Sequence, residues 1–296
     1  MRFQPRESLL VLITMIWGAT FLVTRIGVGQ GGPFGFLLLR FSTGVVVLAA
    51  WSRRDWANFT VDEVRRGVWL GLVLFASYSL QTAGLQTVSS GKSAFITALY
   101  VPMVPLLQWA WLSHRPRRAA WVGVGLAFLG LALLSIQPGM TFTFDRGEWL
   151  TLGGSVAIAF EILLIGRWSP GLDPRRWALC QMTTVMVVSF MAAMLTREPR
   201  LTYTPTLLSC AIGLGLATGA IQVGMNWAQQ SVSPTRATLI YALEPVWAGL
   251  IGWAAGESLT RLNILGAGLI IVGVLTDELW PERNQEADQR RPVNVS

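Results

Sequence analysis

The chain is a succession of apolar runs, each about twenty residues long, divided by short breaks rich in Gly, Pro, Ser and Arg. A helix rises about 1.5 Å per residue, so about twenty residues cross the hydrocarbon core of a bilayer, which is roughly 30 Å thick. Ten such runs lie near 8–29, 34–52, 67–88, 91–112, 118–137, 148–168, 174–196, 206–229, 234–255 and 261–279. No segment between them is long enough for a soluble domain. Composition points the same way: 13% of the 296 residues are charged, against about 25% in soluble domains. The expectation is an all-α integral membrane protein with ten transmembrane helices. The first run is too long for the apolar core of a signal peptide. The polar segment 281–296 reads as a disordered cytoplasmic tail.

The net charge of +7 would suit nucleic acid if the cations shared one long polar face, but they sit in short loops instead. The loops around 53–66, 115–118 and 167–176, together with both termini, hold most of the arginines. The alternate loops hold only Lys92, Arg146, Arg197, Arg200 and Arg261. The side of a membrane protein rich in Lys and Arg stays in the cytoplasm. Both termini are therefore expected to be cytoplasmic, which requires an even number of spans, and no nucleic-acid partner is expected. Trp51, Trp69, Trp121, Trp149, Trp168, Trp177 and Trp280 fall near the ends of runs, where interfacial anchoring accounts for them. Cys180 and Cys210 lie inside apolar runs and read as small core residues, and His114 reads as solvated at a run end. No Cys/His spacing suits a metal, and neither a metal nor a cofactor is expected.

The two halves of the chain resemble each other. GVGLAFLG (123–130) and GAGLIIVG (266–273) carry glycines at the same spacing. Upstream, SAFITALYVPMVPLLQW (93–109) aligns with ATLIYALEPVWAGLIGW (237–253) at Ala98/Ala242, Leu99/Leu243, Leu106/Leu250 and Trp109/Trp253. Each copy holds five spans, so the second copy enters the membrane from the opposite side. The expected organisation is two inverted five-helix repeats, 1–140 and 141–280, followed by the tail 281–296. Inverted repeats are typical of secondary transporters, with the site at the repeat interface. The glycines themselves suit close helix packing; they form no phosphate-binding loop, because Phe128 stands where GxGxxG needs its third glycine.

Glu244-Pro245 lies in the middle of the ninth run. A charge there costs about 2.5–3.5 kcal/mol on insertion scales and points to a function. Pro245, and Pro102 and Pro105 in the fourth run, remove backbone donors and are candidate gate or hinge positions. Polar and aromatic residues in the middle of other runs give a candidate substrate-binding set: Trp17, Tyr78, Gln81, Tyr100, Glu161, Gln222, Tyr241, Glu244 and Trp247, with Thr20 and Ser77 at similar depth. Tyr241, Glu244 and Trp247 are spaced to share one helix face. The two glutamates could hold an ammonium group or accept a proton, and Arg40 could meet a carboxylate bidentately. Each also has a structural alternative. Arg40 could lock helices together, Glu244 could cap the backbone opened by Pro245, Trp17 could be packing, and Gln222 with Asn226 could only tie helices. Lys92 is read as interfacial.

IWGATF (16–21), LLLRF (37–41), SAFITALYVPMVPLL and YALEPVWAGLIGW followed by GES (256–258) resemble the EamA-type drug/metabolite transporters over about residues 8–280. That resemblance implies ten helices with both termini cytoplasmic and a central cavity lined by helices one, three, four, six, eight and nine. Members of similar size include bacterial exporters of amino acids, the YddG type among them. Ile158-Ala159 stands where many relatives have a Trp, so no family role is carried onto the sixth helix. The resulting expectation is a bacterial inner-membrane secondary transporter, exporting amino acids or related small metabolites by alternating access. Its partners are a small-molecule substrate and the lipid bilayer; the sequence carries no signal for oligomeric state. A broad exporter of lipophilic cations and a non-transporting receptor or scaffold remain open readings. An enzyme is not expected, because no GxSxG or HExxH motif is present, and no Walker motif supplies ATP as the energy source.

Overall fold

A computed structural model describes residues 4–29, 32–113, 116–135, 145–198, 204–254 and 260–279. Trp280, the segment 281–296 and His114 lie outside the described residues. Trp177 is fully buried in the core, so interfacial anchoring does not account for it. Within the described residues the fold is all helical. The helices are α1 (Pro5–Val28), α2 (Pro33–Trp51), α3 (Val61–Gly84), α4 (Ser90–Thr97), α5 (Tyr100–Leu112) and α6 (Arg118–Ser135), then α7 (Arg146–Trp168), α8 (Pro174–Leu195), α9 (Pro205–Ala228), α10 (Pro234–Tyr241), α11 (Glu244–Ala254) and α12 (Arg261–Leu279). A short 3₁₀ turn, Arg53–Asn58, joins α2 to α3.

Among the described residues, five helices are long and apolar enough to cross a membrane: Pro33–Trp51, Lys92–Trp111, Arg146–Trp168, Pro174–Leu195 and Pro205–Ala228. Arg118–Leu134 and Arg261–Thr276 are apolar but shorter. Helices α1 and α3 have 24 residues each. They carry more polar side chains, including Thr20, Thr24, Ser77 and Gln81, which line an internal cavity.

Starts and stops follow the sequence locally. Pro opens α1, α2, α8, α9 and α10, where its missing N–H is one of the unpaired donors of a first turn. Thr60, Asp173, Thr204 and Ser233 cap their helices through side-chain oxygens. The fourth and ninth runs each break into two helices. Pro102 has no N–H to offer the Ala98 carbonyl, which instead accepts from Val101 N (3.0 Å) in a tighter turn. In the ninth run Leu243 N reaches back to the Ile240 carbonyl (3.0 Å), next to Glu244-Pro245. The breaks thus fall at Ala98–Leu99 and Ala242–Leu243, the positions paired by the internal repeat, and Pro105 lies inside α5 without ending it.

Helix α6 packs along α12. A Cβ on Gly123 would stand 2.7 Å from the Gly273 carbonyl oxygen, and one on Gly273 would stand 2.6 Å from that of Gly123. Gly130 and Gly266 are related in the same way, at 2.5 and 2.6 Å. The two helices run antiparallel, and exchanging the halves of the chain carries this contact onto itself. Elsewhere the first helix of each half is exchanged: α1 packs against α9, α10 and α11, and α7 packs against α3, α4 and α5. An ion pair marks each exchange, Arg236 Nε to Glu7 (3.0 Å) for α10 and α1, and Lys92 to Glu148 for α4 and α7.

Candidate functional site

A cavity of about 70 Å3 lies where α1, α2, α3, α4, α5, α7, α9 and α11 converge. That is room for a few waters and less than the roughly 300 Å3 of a small-molecule site, so a solute needs the walls to move. Trp17, Arg40, Tyr78, Gln81 and Tyr100 line it from the first half of the chain, and Glu161, Gln222 and Glu244 from the second. Counted from the starts of their helices, the lining positions are related in pairs: Trp17 with Ile158, Thr20 with Glu161, Tyr78 with Gln222, Gln81 with Met225 and Tyr100 with Glu244. The cavity therefore straddles the relation between the halves, while its chemistry is unequal. The large aromatic groups come from the first half and both carboxylates from the second.

Arg40 is 3% exposed. Its Nε and Nη2 both donate to Thr218 Oγ1, at 2.9 and 2.7 Å, and its guanidinium lies 4.7 Å from the Tyr78 ring centroid. Phe41 meets Tyr78 edge-on at 5.1 Å and supports that ring from behind. No salt bridge among the described residues neutralises Arg40. A guanidinium has five N–H donors, and a single hydroxyl cannot satisfy them. Arg40 is thus a buried cation, fixed by Thr218, with spare donors on the cavity wall.

Glu161 accepts from Gln222 Nε2 (3.2 Å) and Ser77 Oγ (3.4 Å). Gln222 also donates to Gln181 Oε1 (3.2 Å), Asn226 Nδ2 donates to the same oxygen (3.4 Å), and Asn226 Nδ2 reaches the Pro174 carbonyl (3.4 Å). This buried amide chain joins α7, α9 and α8 and ends at the start of α8. Glu244 opens α11 and lines the cavity with no side-chain partner among the described residues. Gln81 donates to Thr97 Oγ1 (3.2 Å).

Tyr241 and Trp247 are not among the lining residues. Tyr241 is fully buried, with its ring edge-on to Trp17 at 5.0 Å and its hydroxyl accepting from Gln229 Nε2 (3.1 Å). Trp247 donates its indole N–H to Thr14 Oγ1 (2.9 Å). Both hold α1 against the α10–α11 break. Pro245 sits in the first turn of α11, directly after Glu244. The lining also includes Thr24, Thr97 and Met225, and the anchor Thr218 stands behind Arg40. Sequence reasoning did not single these out, since threonine is tolerated anywhere in a membrane helix.

Beyond the lining residues, a hydrogen bond joins the start of α10 to α5. There Thr235 donates to Gln108 Oε1 of α5 (2.6 Å), both side chains being buried. The lining also reaches Thr24, near the end of α1, and Leu85, the residue that follows α3.

The sequence profile of the EamA-like transporter family matches residues 6–136 and again 145–276. The chain belongs to the EamA-like transporter family. It is a multi-pass membrane protein of a transporter family. Named relatives are similar over most of their length. An uncharacterized transporter of Archaeoglobus fulgidus is 29% identical, over 90% of this chain and 83% of the relative. The uncharacterized inner membrane transporter YedA of Escherichia coli K12 is 29% identical, over 93% of this chain and 92% of the relative. The uncharacterized transporter YwfM of Bacillus subtilis is 27% identical, over 95% and 96%. A solved crystal structure shares the fold with a TM-score of 0.78 at 16% identity, covering 95% of this chain and 98% of that one.

Proposed function

We propose that this member of the family exports amino acids or related small zwitterionic metabolites across the bacterial inner membrane by alternating access. The observation that carries the reading is a buried Arg40 with spare donors lining the same cavity as Glu244, which has no side-chain partner among the described residues. A zwitterion satisfies both: its carboxylate takes the guanidinium, and its ammonium group takes the glutamate. Trp17, Tyr78 and Tyr100 then cover an apolar side chain. Arg40, Tyr78 and Gln81 form the carboxylate side of this site. Glu161, Gln222 and Glu244 form the ammonium side, while Tyr241 and Trp247 brace it. The breaks near Pro102 and Pro245 serve as hinges, with Pro105 stiffening the α5 half.

In this reading α4 with α5 is one span and α10 with α11 another. The chain makes ten spans in two inverted repeats, 1–140 and 141–280, with both termini cytoplasmic. YedA being an inner membrane transporter supports the location. The test is flux of labelled amino acids from proteoliposomes, run as a panel against the matching amines without carboxylates. Zwitterion flux that Arg40→Gln abolishes supports the reading. Efflux of quaternary ammonium compounds without amino-acid flux replaces it with a lipophilic-cation exporter, which the two carboxylates would also suit.

A further inference from the structure

A second recess, of about 510 Å3, lies between the first turns of α3 and the last turn of α7, far along both helices from the central cavity. Arg65, Arg66, Trp69, Arg167 and Trp168 line it. We propose that this recess binds the headgroup phosphate of an anionic phospholipid.

The recess carries an excess of positive charge. Arg65 and Arg66 both pair with Asp62, each at 3.1 Å, so one carboxylate serves two guanidiniums. Arg167 adds a third cation. The neighbouring carboxylate Glu63 is turned away, to Arg176 at 2.8 Å, and does not neutralise the recess. Asp55 is engaged by Arg175 at 3.3 Å. The excess is positive, and phosphate oxygens match the planar donor fork of arginine.

The surface beside the recess is apolar. Val64, Val68 and Leu72 are exposed and lie four residues apart along α3, so they form one apolar stripe leading out of the recess. Trp69 is 61% exposed at the same level. A soluble phosphate uses the arginines alone. A phospholipid uses the arginines for its headgroup and the stripe for its acyl chains, with the indoles at the boundary between them.

The recess is not repeated in the other half of the chain. The corresponding positions at the other end of the molecule are Ser209, Cys210 and Gly213 in α9 and Ile26 and Gly27 in α1. None is charged or aromatic. The fold does not require these side chains at this junction, and only one end of the molecule has them. Membrane topology accounts for arginines on this side, but not for their convergence with two tryptophans around one recess.

Native mass spectrometry of the full chain in detergent, titrated with phosphatidylglycerol or with phosphatidylcholine of the same acyl chains, tests the site. Phosphatidylglycerol is expected to bind at least tenfold more tightly and to raise the melting temperature. Combined Arg65→Gln, Arg66→Gln and Arg167→Gln removes both effects, and Arg167→Gln alone weakens them. Arg53→Gln with Arg54→Gln, on the exposed 3₁₀ turn, leaves them in place. Equal binding of the two lipids overturns the proposal, as does an equal loss in the Arg53/Arg54 variant, which would mean diffuse surface charge. Displacement of the lipid by millimolar inorganic phosphate also overturns it, in favour of a soluble anion. The outcome is independent of which solute crosses the membrane.

Discussion

Thr218 supplies the one hydroxyl that fixes Arg40, accepting both of its hydrogen bonds inside the membrane domain. Thr218→Val keeps the shape and removes the acceptor. A buried polar group left unpaired costs about 1–3 kcal/mol, so the guanidinium is expected to swing or to recruit water. For a carboxylate-bearing substrate the KM should rise about tenfold, equivalent to about 1.4 kcal/mol, with transport of an amine lacking the carboxylate unchanged. Equal effects on both substrates in the flux assay would assign Arg40 to helix locking alone. Glu244 has no side-chain partner among the described residues, so Glu244→Gln should fold normally. It is expected to abolish uphill export driven by a proton gradient while sparing exchange down a gradient; gradient-driven flux equal to wild type at every pH would remove Glu244 from coupling. Most cavity-lining residues were legible because a polar or aromatic group in mid-membrane is costly and therefore conspicuous. Tyr241 and Trp247 were grouped with Glu244 by helical spacing. For Tyr241 that spacing fails because the helix breaks at Ala242–Leu243, and its ring packs edge-on against Trp17; Trp247 follows Glu244 in unbroken α11 and instead hydrogen-bonds to Thr14.

The paired helices α6 and α12 separate two kinds of glycine that look alike in sequence. A methyl group on Gly130 would meet the Gly266 carbonyl oxygen at 2.5 Å, whereas around Gly125 and Gly268 nothing lies within 4 Å. Gly130→Ala forces the backbones apart, and overpacking of this kind costs about 1–3 kcal/mol. Gly125→Ala and Gly268→Ala meet open space and gain up to about 1 kcal/mol of helix propensity. Melting curves of the purified protein should therefore fall for the first and hold or rise for the others; a uniform fall would place α6 and α12 differently. The repeated spacing of the glycines was readable, but which of them touch was not, because that depends on the crossing geometry. The breaks in the fourth and ninth runs were readable through their prolines to within one turn. The fold moves each break to the N-terminal side, since proline withholds its N–H from the preceding turn's carbonyl and sits comfortably in the next helix's first turn.

At the scale of the molecule, the repeats in the sequence are not the bodies in the structure. Helix α1 belongs by packing with α9, α10 and α11, and α7 with α3, α4 and α5. Glu7 and Glu148 are each the third residue of their helix, and their partners Arg236 and Lys92 stand at matching places in α10 and α4. The two ion pairs are thus repeat-related and lie at opposite ends, and each ties an exchanged helix into its adopted group. The Thr235–Gln108 hydrogen bond is different: it joins α10 of one group to α5 of the other. The repeat-related positions of the other end are Gly91 and Gly252, which have no side chains to form such a bond. If the two groups move as bodies, a bond within a group is harmless and a bond between groups is not. With Cys180 and Cys210 replaced by Ala, a disulfide between Glu7→Cys and Arg236→Cys should leave flux near the reduced level. A disulfide between Gln108→Cys and Thr235→Cys should arrest it, and reduction should restore it. Arrest by the first pair would make α1 and α10 move against each other and dissolve this division. Full flux with the second pair oxidised would mean that the end near the start of α10 does not open during transport.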